Sequence, residues 1–250
     1  MRRGVGKWLW MAAGLALFAG EADAQRRYDH NEYERGRAPT AQFAVSLIAA
    51  DPVGELGSYF DAGGGLQLEG SFAMERTGHL RLRTDLGFII YGHERLYFCY
   101  DGLFGCRVGE DLTTTNSIVF GGIGPELVLA TGHIEPYLNA SFGFSYFVTT
   151  SELDYHDDYY DGPTTTNHSD VTMALRAGGG LRVRLKRGRT PIHLDFGVER
   201  HENGIADFLT EGDIVDHPDG STTMFVNRSE ANLMTYRLGV SFGFGGRRGR

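Results

Sequence analysis

The stretch DVTMALRAGGGLRVRLK, residues 170–186, decides the fold of this chain. Apolar side chains recur at every second position from Val171 to Leu185, and the positions between them carry mainly arginine, threonine and glycine. Successive side chains of a β-strand point to opposite faces of a sheet, so this period of two predicts a strand with one apolar and one polar face. The segment exceeds the roughly 9–11 tilted residues that a β-strand needs to cross a bilayer.

Seven other segments repeat this pattern, and together the segments predict eight strands. The seven cover residues 40–50, 66–74, 80–90, 113–129, 134–148, 191–203 and 230–244. Each of them has a clear apolar face except 113–129. In that segment apolar residues fall on both sides, so the pattern does not show which side faces inward.

The connections between these strands alternate in length. The long connections are polar and cover residues 51–62, 94–112, 151–169 and 204–229. The short connections between them contain glycine and cover residues 75–79, 130–133 and 187–190. A soluble sandwich gives no reason for this alternation, whereas outer-membrane barrels have short periplasmic turns and longer extracellular loops. The predicted fold is all-β, an eight-stranded antiparallel up-and-down transmembrane β-barrel over residues 40–244. Within 204–229, the turn signal His217-Pro218-Asp219-Gly220 predicts a projecting hairpin.

Composition limits the function classes. The chain of 250 residues has a net charge of −8, which argues against nucleic-acid binding because such proteins usually present a basic stripe. Charged residues at 22% and hydrophobic residues at 41% argue against a disordered chain. The 36 glycines and 12% aromatic residues suit many strands that bend or pack closely.

The N-terminus has the pattern of a secretory signal. Positive residues precede the apolar stretch 8–20, and Ala22-Asp23-Ala24 forms a cleavage site, so residues 1–24 are predicted to be a signal peptide. An uncleaved anchor is the alternative. Residues 25–39 are polar and aperiodic and predict a flexible periplasmic tail, and residues 245–250 form a basic C-terminal extension. The predicted location is the outer membrane.

The chain has two cysteines, Cys99 and Cys106. Export to an oxidising compartment favours a disulfide between them, and two free thiols are the alternative.

The polar face of the predicted strands combines charges of both signs. Inside a narrow barrel these side chains predict a lumen charge network: Glu69, Arg81, Arg83, Asp85, Glu135, Arg176, Arg182, Arg184, Asp195, Glu199 and Arg237. In the soluble alternative, a lipocalin-type barrel, the apolar face would point inward instead.

Over residues 40–244 the chain resembles the small eight-stranded outer-membrane barrels of Gram-negative bacteria, of the opacity, Ail and OmpA-transmembrane-domain type. The most specific match is RLGVSFGF, residues 237–244, which resembles the C-terminal assembly signal of that family through Arg237, Gly239, Phe242 and Phe244. The resemblance implies a monomer in outer-membrane lipid whose last strand is recognised by the barrel-assembly machinery. Such barrels commonly end on the aromatic residue, whereas this chain continues to Arg250.

Catalysis is disfavoured. Barrels of the lipid A deacylase type carry His-x-Ser-Asn, and the nearest match here, His201-Glu202-Asn203, lacks the serine. His168 and Ser169 are adjacent, which puts their side chains on opposite faces of a strand and leaves the hydroxyl without a base. No catalytic residue is therefore predicted.

No cofactor and no metal are predicted. The acidic loop 151–169 fits an EF-hand template at Asp157 and Asp161 but fails it at Tyr159 and His168, so a solvated loop tip is the preferred interpretation. Whether that loop binds a cation stays open. His193 and His201, with Asp195 and Glu199 on the same face, could bind a metal, but a charged, hydrogen-bonded lumen explains them without one.

The sequence therefore predicts a non-enzymatic outer-membrane barrel with a structural or cell-surface role, acting through its long loops on an unidentified extracellular partner. The interior of an eight-stranded barrel is just wide enough for side chains to fill, which disfavours a wide pore. The alternatives are a membrane-embedded lipid-modifying enzyme and a narrow conduit or binding barrel for small or hydrophobic ligands.

Overall fold

The computed structural model of the chain describes residues 39–102, 105–154, 161–188, 190–217 and 221–245, except for the side chains of 98–102, 105–110, 154, 161–163 and 216. The predicted signal peptide, nearly all of the predicted tail and the basic extension beyond Gly245 lie outside these residues and stay predictions. Among the described residues, no helix is long and apolar enough to cross a membrane.

Eight long strands form a closed antiparallel barrel, which confirms the predicted fold. They are β1 (Ala41–Pro52), β2 (Gly63–Ala73), β3 (Leu80–Gly102), β4 (Gly105–Val128), β5 (Ile134–Asp154), β6 (Asp161–Lys186), β7 (Ile192–Asn203) and β12 (Leu233–Phe244). Each pairs with its neighbour in the chain, apart from four short strands inserted between β7 and β12. The pairing of β1 with β12 closes the barrel, with Ala41 opposite Phe244 and Pro52 opposite Leu233.

The four inserted strands are β8 (Ile205–Phe208), β9 (Ile214–Asp216), β10 (Thr222–Met224) and β11 (Asn227–Glu230). β8 pairs with β11, and β9 pairs with β10 as a separate two-stranded sheet. Asp216 lies opposite Thr222, so the hairpin predicted around His217-Pro218-Asp219-Gly220 is confirmed, although residues 218–220 lie outside the described part of the chain.

Two of the predicted long loops were assigned wrongly. Residues 94–112 belong almost entirely to β3 and β4, and residues 151–169 largely to β5 and β6, so these strands reach 21 to 26 residues. Their outer parts mix polar and apolar residues without strict alternation because they lie beyond the lipid, and this removes the pattern by which a membrane strand is recognised. Threonine-rich runs such as Thr164–Thr166 favour strands all the same, because β-branched side chains suit a pleated surface.

Large apolar side chains point outward around the barrel, while charged side chains point inward. Leu47 on the outside is 63% exposed, whereas Arg83 inside is 1% exposed. A soluble barrel has the reverse arrangement. The outward set forms the lipid-facing belt: Phe43, Val45, Leu47, Leu66, Leu68, Phe72, Leu82, Leu86, Phe88, Ile90, Ile123, Leu127, Leu138, Phe142, Phe144, Val171, Met173, Leu175, Phe196, Val198, Tyr236, Leu238 and Phe244. The protein is therefore a transmembrane barrel of the outer membrane.

The facing of residues 113–129, which the sequence left open, is settled by the burial of β4. Asn116, Ile118, Phe120 and Glu126 are buried inside the barrel, and Ile123 on the alternate face belongs to the lipid-facing belt. Apolar residues occur on both faces because Ile118 and Phe120 pack inside the barrel rather than against lipid.

The two ends of the barrel differ. At the short-turn end, brief turns follow β2, β4 and β6, and both the start of β1 and the end of β12 lie there. At the long-hairpin end, the strands β3 to β6 extend beyond the belt and the inserted strands β8 to β11 lie.

Candidate functional site

The lumen near the short-turn end is filled by a network of ion pairs centred on Glu126 of β4. Both nitrogens at the end of the Arg182 guanidinium donate to this carboxylate, over 2.8 and 2.6 Å, and Arg83 donates to it over 3.3 Å. Arg182 also donates from Nε to Asp195 over 3.0 Å. A guanidinium that donates to two carboxylates at once is held in a fixed orientation, so these strands are cross-linked through the lumen.

A second part of the network joins the two strands that flank β1. Arg83 Nη2 lies 2.9 Å from Glu69 and 3.3 Å from Glu199. Arg237 of the closing strand donates to Glu69 and lies 3.7 Å from Glu199. All four side chains are buried, so each charge depends on its partners for stability.

Tyr137 of β5 connects the two parts. Its hydroxyl donates to Asp195 over 2.7 Å and accepts from Arg237 over 3.2 Å. The Arg182 guanidinium carbon lies 4.1 Å from the centre of the Tyr137 ring, a cation–π distance. Tyr137 lies two positions after Glu135, and so on the same face as this predicted lumen charge, but the sequence predicts no role for it.

The remaining predicted charges lie at the edges of the network. Arg184 pairs with Glu135 at 2.5 Å and keeps a quarter of its side chain exposed at the short-turn end. Arg176 lies 2.8 Å from Asp85. Arg81 donates to Gln42 over 2.6 Å and to the carbonyl of Gly78.

Glu126 is not among the predicted lumen charges, because the sequence did not show which side of its segment, residues 113–129, faces the lumen. The balance of charges in the lumen could have identified it. The predicted network contains six arginines but five carboxylates, and a dry lumen does not tolerate an uncompensated charge. Glu126 supplies the sixth carboxylate and is fully buried.

Glycine on the wall makes room for these large side chains. A Cβ on Gly122 would lie 2.1 Å from Arg176 Nη2, and a Cβ on Gly87 would lie 2.5 Å from the Phe120 ring. The high glycine content thus reflects the packing of guanidinium groups and rings against bare backbone.

Beyond the network, towards the long-hairpin end, the lumen becomes apolar. The inward side chains Ile48, Ile89, Ile118, Phe120 and Phe147 pack with residues from two connections that enter the barrel: Leu56, Tyr59, Phe60, Ala206 and Phe208. Ring contacts link the connections to the wall, with the Phe208 centre 5.9 Å from that of Phe147. This group, the apolar plug, seals the mouth of the barrel.

Residues 205–213, the mouth segment, cross the opening from β7 to reach β3. The Tyr91 hydroxyl donates to the carbonyl of Leu209 over 3.0 Å, and the backbone N–H of His93 donates to Glu211 over 3.0 Å. In return the N–H of Gly212 donates to Glu94 over 3.1 Å. These bonds hold the mouth segment in place, with Phe208 in the plug and Leu209 buried beside it in the chain.

A small space lies inside the charge network. It has a volume of about 10 Å³ and is lined by Glu69, Arg83, Glu126 and Arg182, among others. This is about the size of one water molecule. The lumen is thus closed by charged side chains in one half and by apolar ones in the other.

The positions weighed for catalysis make other contacts. The His201 ring is buried in the lumen, 3.2 Å from the Thr235 hydroxyl and edge-on to Phe120. The His168 ring lies 3.2 Å from the carbonyl of Asp207, and Ser169 is exposed. Among the described residues, no group of three or more His, Cys, Asp or Glu side chains is placed to hold a metal ion.

Three predicted features remain untested. The backbone places Cys99 opposite Gly109 and Cys106 opposite Asp101, but both side chains lie outside the described set, so the disulfide stays a prediction. Residues 155–160 of the acidic loop also lie outside it. In the segment resembling an assembly signal, Arg237 and Gly239 face the lumen and Phe244 faces lipid, while recognition by assembly machinery stays a prediction.

Comparisons with solved structures find other outer-membrane barrels at low identity. Neisserial surface protein A (NspA) has a TM-score of 0.43 and 12% identity, covering 83% of this chain and 99% of its own. Ail of Yersinia pestis, in complex with the heparin analogue sucrose octasulfate, has a TM-score of 0.40 and 11% identity, covering 82% and 97%. OprG of Pseudomonas aeruginosa has a TM-score of 0.38 and 11% identity, covering 84% and 98%. No protein-family model and no curated protein matches the chain.

Proposed function

We propose that this protein is a closed, non-enzymatic outer-membrane barrel that acts at the cell surface through its long hairpins. The observation that carries the proposal is the filled lumen: the charge network occupies one half and the apolar plug the other. A barrel filled in this way offers neither a path for solutes nor a pocket for a substrate.

The outward extension of the strands supports the surface role. In β3, the lipid-facing belt ends at Ile90, and the strand continues to Gly102. At 3.2–3.4 Å per residue, these twelve residues reach roughly 40 Å along the strand beyond the belt. Hairpins of this length are not needed to cross the membrane, and long connections of outer-membrane barrels face the outside.

Burial of the candidate base argues against an enzyme. His201 is fully buried between Thr235 and Phe120, away from both lipid and water. A general base must reach the proton that it removes in a bound substrate, and the His201 ring has no exposed surface for such a contact.

The test combines surface labelling with a lipid profile. In a variant with both cysteines replaced by serine, single cysteines are introduced by Thr164→Cys and Thr223→Cys at the long-hairpin end, and by Arg76→Cys and Arg187→Cys at the short-turn end. A membrane-impermeant maleimide should label the first pair on intact cells and the second pair only after lysis. The lipid profile of a deletion strain should match that of its parent.

Equal labelling of both ends would contradict the orientation. A lipid species that accumulates in the deletion strain and disappears on complementation would favour the lipid-modifying alternative.

A further inference from the structure

The hairpin formed by β9 and β10 stands apart from the barrel sheet. It is a separate two-stranded sheet that follows the mouth segment. Because Gly212 is bonded to Glu94 of β3, which lies past Ile90 at the end of the belt, the hairpin starts beyond the lipid. A lone two-stranded hairpin is marginally stable in water, so this one depends on contacts at its base or on a partner.

The base of the hairpin is held by Asp213. Its carboxylate accepts bonds from the Thr210 backbone N–H and from the Thr210 hydroxyl, both over 2.7 Å, and from the Asn227 side chain. The N–H of Phe225 donates to the Asp213 carbonyl over 2.8 Å. The hairpin is therefore presented in a fixed orientation, which lowers the entropy cost of binding.

The hairpin exposes apolar side chains. By strand alternation Val215 and Phe225 share one face, and they are 38% and 58% exposed. On the other face Ile214 is half-buried, while Met224 and Val226 are 42% and 46% exposed. Phe225 is the largest and most exposed of these side chains, so its face is the stronger candidate for a contact. Apolar side chains grouped outside the membrane mark interaction sites.

The long-hairpin end that carries this face is strongly acidic. Its side chains that the structure describes, in residues 51–62, 94–97, 111–112, 151–153, 164–170, 200–215 and 221–230, include twelve Asp and Glu against three Arg and no Lys. Glu94, Glu211 and Asp213 lie at the hairpin base itself. Such a field attracts cationic partners and repels polyanions.

We propose that the face of the β9–β10 hairpin that carries Val215 and Phe225, its apolar anchor, docks a cationic amphipathic peptide segment of another protein. The apolar side chains of the segment cover this face, and its lysines or arginines lie against the surrounding carboxylates. This inference rests on the proposed surface role and specifies the partner class.

The test introduces a tryptophan into the hairpin as a fluorescent reporter. Its two tryptophans lie at positions 8 and 10, within the predicted signal peptide, so Phe225→Trp adds the only tryptophan of the mature protein. The probe is a short synthetic peptide of alternating lysine and leucine, added to the full barrel in nanodiscs of zwitterionic lipid, with empty nanodiscs as the blank. We expect a blue shift of the tryptophan emission on binding.

Matched variants and peptides assign the binding. Val215→Ser with Phe225→Ser should weaken binding of the fluorescein-labelled peptide by about tenfold or more. Leu96→Ser, which removes an exposed apolar residue of another hairpin, should leave it unchanged. A lysine–serine peptide should bind weakly and independently of Val215 and Phe225, and a glutamate–leucine peptide should not bind.

Three results would overturn the proposal. The first is equal binding of the lysine–leucine and glutamate–leucine peptides, and the second is unchanged peptide binding in the double serine variant. The third is quenching of the introduced tryptophan by brominated lipid in the absence of peptide, which would place the hairpin in the bilayer. Each of these leaves the closed lumen and the labelling pattern untouched, so they are distinguishable from failure of the surface role itself.

Discussion

The two halves of the lumen are closed by different means. Near the short turns, side chains of the barrel strands themselves meet across the lumen, as Glu126 meets Arg182 and Arg83. Near the mouth, the strands supply only an apolar wall, and side chains from the connections, such as Leu56 and Phe208, fill the space. The first closure is built into the sheet, whereas the second belongs to segments that can move without breaking the sheet.

The largest expected effect lies in the charged half. Glu126→Leu leaves two buried arginines without their shared acceptor, and removing one partner of a buried pair costs about 3–5 kcal/mol. The free energy of unfolding of detergent-folded protein, measured in urea, should fall by that amount. Glu202→Leu removes a half-exposed carboxylate paired with Arg200 and should cost about 0–1 kcal/mol.

A double variant sharpens this result. Arg182→Leu together with Glu126→Leu should cost less than the sum of the two single changes, because the pair is lost as a unit. Similar small effects of Glu126→Leu and Glu202→Leu would mean that the lumen is hydrated and that the two halves do not differ as described.

The next effect concerns the wall that separates both halves from lipid. Val240 of β12 lies opposite Val45 and between the inward residues Gly239 and Ser241. Val240→Arg places a charge on the lipid side, at a cost of about 2–4 kcal/mol near the bilayer midplane. Folding into liposomes should show this loss, and Thr164→Arg, in the extended part of β6, should not. A harmless Val240→Arg would contradict the assigned facing.

In the apolar half we expect a local effect. Phe208→Ala removes a fully buried ring from the plug, so the mouth segment should open more often while the barrel strands stay paired. Amide exchange in residues 205–213 should rise by about tenfold or more. Exchange at Leu194 and Phe196 of β7 serves as the internal control. Parallel acceleration in β7 would show that the plug and the sheet unfold together.

The smallest effect lies at the short-turn end. A hydrogen bond from the Thr77 hydroxyl, with further bonds from the N–H groups of Leu80 and His79, lowers the pKa of Glu75 below its usual value. The stabilisation is therefore present above the ordinary pKa of a glutamate and is lost as the pH falls through the lowered one. Acidification should lower the protection of the His79 and Leu80 amides, measured as the exchange rate relative to an unstructured peptide at the same pH, and Glu75→Gln should already lower it at neutral pH. Protection factors that do not change with pH would remove this role.

The same division explains what the sequence could predict. In the charged half, polar and apolar residues alternate strictly, as in β12. That pattern predicts the strands and the direction in which their side chains face, and ten of the predicted lumen charges are buried in the structure. In β4 the inward residues Ile118 and Phe120 are apolar, so alternation disappears, and Glu126 is missed with it.

The mouth segment could not be predicted from local pattern. Its position depends on bonds between residues far apart in the chain, such as Tyr91 with Leu209 and His93 with Glu211. The extensions of β3 to β6 were missed for a related reason, since strands beyond the lipid do not need an apolar face.

The central claim, a lumen closed along its length by two independent seals, is tested most directly by conductance in planar bilayers. Purified full-length barrel should show no single-channel steps, and a variant with Phe208→Gly and Leu209→Gly should also show none, because the charge network around Glu126 remains. Steady single-channel conductance of the unaltered protein would contradict the account.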